Sequence, residues 1–167
     1  IIAFVSTEVD DRVSKQISSS VVIGDERNYE QDPRFGLCVL NEIATKALST
    51  AINDTGTVID VIGRLVRVLA IYADVEQEPE VKYERIWVPS LSIEDLFADP
   101  FAAIYRDGAV YEIYSRLLKG LKMLYAVDNS LYQRQVEEYV SMSMQAIQDS
   151  AMSEPEKAAL INIFSDA

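Results

Sequence analysis

Two polar stretches hold the residues that could do chemistry. The first is Gly24-Asp25-Glu26-Arg27-Asn28-Tyr29-Glu30-Gln31-Asp32-Pro33-Arg34-Phe35-Gly36. The second is Ala47-Leu48-Ser49-Thr50-Ala51-Ile52-Asn53-Asp54-Thr55-Gly56-Thr57. Their functional groups are carboxylates, amides, hydroxyls and guanidiniums. Such groups suit a hard cation such as Mg²⁺ or Ca²⁺, which takes oxygen ligands. They also suit an anion held at a helix N-terminus by free N–H groups. The ligand-binding candidates are therefore Asn53, Asp54, Thr57 and Arg64, with Asp25, Arg27 and Asp32 contributing from the first stretch.

A structural role competes with each of these. Asp54 stands just before a long apolar run, where a side-chain oxygen caps the first free N–H groups of a helix. Asp25, Glu26, Arg27, Glu30, Asp32 and Arg34 can staple their own loop through exposed ion pairs, which add little stability. Glu42 with Lys46, and Asp60 with Arg64, have the i,i+4 spacing that supports a helix. The spacing also separates the two stretches. A helix from Pro33 to Leu48 is about 24 Å long at 1.5 Å per residue, which puts them at its opposite ends.

Composition narrows the chemistry further. The chain has 167 residues with no His and one Cys. That excludes a Ser–His–Asp triad, a Cys–His pair, His-ligated zinc, a Cys-cluster metal site and an internal disulfide. Nothing places two carboxylates in a defined pair for acid–base work. No catalytic residues and no cofactor are legible, and the metal, if one binds, is not specified. With 15 Lys and Arg against 27 Asp and Glu the net charge is −12, so nucleic acid is not an expected partner.

The elements that must position these residues follow from apolar spacing. Ile1–Val5 and Val81–Val88 read as short strands that can pair. Val13, Ile17 and Val21 place a helix between Val9 and about Val22, ended by Gly24. Asp32-Pro33 reads as an N-cap and first helical residue, opening a helix to about Leu48. The next helix runs to about Val75. Its charges, Asp60, Arg64, Arg67 and Asp74, form one narrow stripe on an otherwise apolar surface, so it is expected at the centre of the bundle. Cys38 is expected to be a core thiol. Ser92 with Asp95 fits a capping box for a helix that Pro100 bends or restarts. Tyr111–Val127 and Leu131 to about Ser150 are two further helices, and Ser153-Glu154-Pro155 opens a last short one. The expected fold is mainly α: one domain over residues 1–167, a bundle of about seven helices with a minor two-stranded β element.

The chain opens with Ile1-Ile2-Ala3-Phe4-Val5 and no initiator Met, which predicts a processed product or a piece of a longer protein. The richest apolar stretch, Val58 to Tyr72, is broken by Asp60, Arg64 and Arg67. It falls short of the roughly 20 apolar residues a membrane span needs, so the chain itself is expected to be soluble.

Several motifs in order resemble a bacterial family of predicted membrane proteins, domain-of-unknown-function family 2254. They are Gly24-Asp25-Glu26-Arg27, Gln31-Asp32-Pro33-Arg34-Phe35-Gly36-Leu37, Ala47-Leu48-Ser49, and Ile52-Asn53-Asp54 with Thr57. The match runs from about Ile17 to Leu69 and more loosely to the C-terminus. The family pattern Ser-Pro-Gly-Ile-Asn-Asp-Pro is altered to Thr50, Ala51 and Thr55, and a following Asp-Arg is Gly63-Arg64 here. The resemblance implies a soluble region C-terminal to a membrane anchor, in a protein of the bacterial inner membrane. It implies no activity. The sequence thus points to a non-enzymatic regulatory or assembly domain that forms a homo-oligomer and reaches the membrane through a segment absent from this chain. A free Cys without disulfides places it on the cytoplasmic side. The alternative is a small-molecule or divalent-metal binding module centred on the Asn53-Asp54 loop.

Overall fold

Local capping sets where the helices begin. The computed structural model describes residues 4–22, 24–30, 32–74, 84–87, 91–127 and 129–165. The Asp10 carboxylate accepts from the Val13 N–H at 2.7 Å and starts α1, Asp11–Ser20. Asp32 accepts from the Phe35 N–H at 3.2 Å and starts α2, Pro33–Leu48. Pro33 is the first residue of α2, where its missing N–H costs no intrahelical bond. The third helix, α3, is Thr55–Asp74. Ser92 accepts from the Asp95 N–H at 3.1 Å and starts α4, Ile93–Asp107. Three further helices follow: α5, Tyr111–Val127, α6, Asn129–Asp149, and α7, Glu154–Ser165. Two strands, β1 (Phe4–Val5) and β2 (Ile86–Trp87), pair antiparallel with Phe4 opposite Trp87 and Val5 opposite Ile86. The chain is a mainly α bundle with a minor β pair, as the apolar spacing predicts. The outer parts of the two expected strands, 1–3, 81–83 and 88, lie outside the described residues, as do the acidic stretch 76–80, Pro89 and Asp128.

The centre of the bundle is α5 and not α3. Helix α5 packs against α3, α6 and α7, while α3 packs chiefly against α5 and α2. Ile113, Tyr114, Leu117, Leu118, Leu121 and Leu124 of α5 are all buried. Helix α3 buries Val58, Val61, Ile62, Leu65, Val66 and Leu69, but its far side is open: Val68 is 44% and Ile71 57% exposed. The expectation of a sheathed central rod therefore fails for α3. Apolar residues spread widely around a helix do not all require burial, because single exposed aliphatics are common on protein surfaces.

Two glycines lie at the contact of α3 and α5, and of the two Gly120 sets how closely the helices approach. A Cβ on Gly120 would stand 2.6 Å from Val66 Cγ2, and one on Gly63 the same distance from the Arg116 guanidinium. The α6 side of the core is aromatic and partly polar. Phe97 and Phe101 of α4 pack with Tyr139, and Phe97 also packs with Tyr132, at centroid distances of 5.4–5.9 Å. The buried Tyr132 hydroxyl donates to the Leu69 carbonyl at 2.6 Å and ties α6 to α3. Ser143 is fully buried because its hydroxyl donates to the Tyr139 carbonyl at 2.7 Å, leaving no unpaired donor.

Pro100 lies inside α4, and the helix continues through it without the expected restart. Pro removes one N–H from the ladder, and burial of Leu96, Phe97, Phe101 and Ile104 on both sides of Pro100 holds the helix together. Helix α1 stands apart: none of its ten residues is buried. It is a helix by virtue of its cap and its spacing rather than by core packing.

Candidate functional site

The turn between α2 and α3 is built by its backbone. The Ile52 and Asn53 N–H groups donate to the Ser49 carbonyl at 3.0 and 2.9 Å, and the Asp54 N–H donates to the Ala47 carbonyl at 2.9 Å. Asn53 takes the left-handed conformation, φ 46°, that reverses the chain; Asn tolerates this better than most residues with a Cβ. Asp54 then caps α3. Its Oδ1 accepts from the Thr57 N–H at 3.0 Å and its Oδ2 from the Thr57 hydroxyl at 2.6 Å. The Thr57 hydroxyl, followed by the N–H bonds, holds the Asp54 carboxyl below the ordinary carboxylate range. Both carboxylate oxygens are thus engaged in starting the helix.

Arg64 does not join this turn. Its Nε donates to Asp60 Oδ2 at 2.7 Å, one turn back along α3, and both side chains are well exposed at 63% and 64%. The sequence places Arg64 on a narrow polar stripe of a buried helix; in the structure that stripe lies on the open side of α3.

The first stretch is tied to the other end of α2. Arg27 Nε and Nη2 each reach Asp32 Oδ2 at 2.7 Å. The Arg27 guanidinium also lies 5.0 Å from the centroid of Phe35, and Tyr29 stacks on the same ring at 4.9 Å. The bond from Arg27 lowers the Asp32 carboxyl pKa. Asp25 is exposed. The structure therefore brings Asp54 and Thr57 together, and Arg27 and Asp32 together. The pairs remain at opposite ends of the 16-residue helix α2, as its length predicts.

A cluster that the sequence does not reveal lies between α2 and α4. Arg34 Nε donates to Asp99 Oδ2 at 2.8 Å, its Nη2 lies 2.6 Å from the same oxygen, and its Nη1 is 3.2 Å from Asp95 Oδ2. Cys38, one turn further along α2, places its Sγ 3.8 Å from the same Asp99 oxygen. Its thiol is partly buried beside charge and is not the apolar core thiol that Leu37, Val39 and Leu40 suggest. Arg34 and Asp95 are each visible in the sequence as parts of local motifs, but no sequence signal joins them. Among the described residues, no group of three or more Cys, Asp and Glu side chains is arranged to hold a metal ion.

The site thus defined is a set of helix caps and interhelix ion pairs on an α-helical bundle. The model of the family described as "Predicted membrane protein (DUF2254)" matches residues 1–123, and the chain belongs to that family. The chain is also 36% identical, over 94 residues, to an uncharacterised protein of Mycobacterium bovis and to two of Mycobacterium tuberculosis. The aligned part is 53% of this chain and 18% of each relative, so the chain spans under a fifth of their length. No solved structure matches the fold. Among the described residues, no helix is long and apolar enough to cross a membrane.

Proposed function

We propose that this chain is a regulatory or assembly domain of a bacterial integral membrane protein, acting without catalysis. The observation that carries the reading is membership of a membrane-protein family by a chain whose described helices include no candidate span. The disposition of its polar groups supports a non-catalytic role. Asp54, Arg64, Arg27, Asp32 and Arg34 are each engaged in a cap or an ion pair, spread over two ends of α2 and the open side of α3. Attachment to the membrane falls to a segment outside this chain, because a net charge of −12 repels an anionic leaflet. The domain faces the cytoplasm of the inner membrane, where a free thiol such as Cys38 stays reduced. It assembles with further copies of itself.

Fractionation of cells making the full-length parent tests the anchor. The parent is expected in the membrane fraction and released only by detergent; recovery in the cytosolic fraction overturns the reading. Protease added to inverted inner-membrane vesicles should cut the domain, and protection there would place it on the other side. Sedimentation of the isolated chain tests assembly, and a strict monomer at the highest attainable concentration counts against it.

A further inference from the structure

We draw no further inference here: the strongest candidate, the largely apolar groove of about 350 Å³ between α1 and the β1–β2 pair, lined by Val5, Val9, Val13 and Ile17 together with Glu8 and Arg85, carries nothing because nothing in the structure shows what covers it.

Discussion

Arg34 and Asp99, 65 residues apart in the chain, are joined by a hydrogen bond from Nε at 2.8 Å and an ion-pair contact from Nη2 at 2.6 Å, both on a single carboxylate oxygen. The pair fastens α2 to α4, and Asp95 adds a third contact at 3.2 Å. Both partners are only partly exposed, at 31% and 25%, so water screens them less than it does a surface pair. Charge-assisted bonds of this kind are stronger than neutral ones and depend on the planar guanidinium. Arg34→Ala should cost about 1–3 kcal/mol, because it also leaves two carboxylates without their cation. Arg34→Lys should recover only part of that loss. Urea unfolding of Arg34→Ala, Asp99→Ala and the double variant should give a coupling energy on the order of 1 kcal/mol. A coupling near zero would show that the two helices are held by apolar contact alone.

The two glycines at the α3–α5 contact should respond in opposite directions to the same change. A methyl at Gly120 meets Val66 Cγ2, which sits on a β-branched side chain with little freedom to turn away. Gly120→Ala should therefore destabilise by about 1–3 kcal/mol through overpacking. A methyl at Gly63 meets only the end of the exposed, flexible Arg116 side chain, which can swing aside. Gly63→Ala should then gain up to about 1 kcal/mol from helix propensity. Denaturant midpoints at unchanged m-value decide both signs.

Thr55 is the first residue of α3, directly after the Asp54 cap. The related family pattern has Pro at this point. Pro at a first helical position forfeits no intrahelical bond and arrives with its φ already set. Thr55→Pro should leave the Asp54–Thr57 bonds in place and stabilise by about 0.5–1 kcal/mol, chiefly by restricting the unfolded chain. A fall in thermal midpoint would mean that the turn from Ser49 to Asp54 must distort to admit the ring.

Acid and base should each destabilise the fold, for different reasons. Bonds from Arg27, Thr57, Arg106 and Ser153 hold the carboxyls of Asp32, Asp54, Asp107 and Glu156, respectively, below their ordinary values of 3.8 for Asp and 4.5 for Glu. Below those values the unfolded chain binds protons that the folded chain resists. Their contribution is complete at neutral pH and is lost as the pH falls through the lowered native values. Tyr114 runs the other way: burial raises its phenol from 10.0 to about 12. Between those two values the unfolded chain loses a proton that the folded chain keeps, so stability drops as the pH rises across that interval. Urea midpoints should be flat near neutrality and fall below about pH 4.5 and above about pH 10. Burial also raises the Tyr139 phenol, so Tyr114→Phe should reduce the alkaline fall without abolishing it and leave the acid fall unchanged.

The legible parts of the molecule were those set by neighbours in the chain. The Asp32 and Asp54 caps, the Ser92 cap and the start of α7 all follow from local residue types and spacing. The two short strands were legible as segments that can pair, while their antiparallel register is a long-range outcome. The separation of the two polar stretches follows from the rise of α2 alone. The buried face of α6 was only partly legible. Val136 and Ile147 are buried as their spacing indicates, but Tyr132, Gln135 and Ser143 are buried with them. Their polar atoms find partners on Leu69, Glu94 and Tyr139, and a residue's polarity does not announce such a partner in advance.

The sequence by itself determined about seven helical segments, the caps of four of them, the family resemblance and the absence of imidazole chemistry. Each depends on residue identity or on spacings of three and four. Only the tertiary structure decided that α5 lies at the centre, that Arg64 faces water and that Arg34 and Cys38 converge on Asp99. Those outcomes depend on how the helices rotate and stack. That arrangement is fixed by the whole set of side-chain volumes at the contacts, down to the missing methyl of Gly120, and not by the pattern within any single helix.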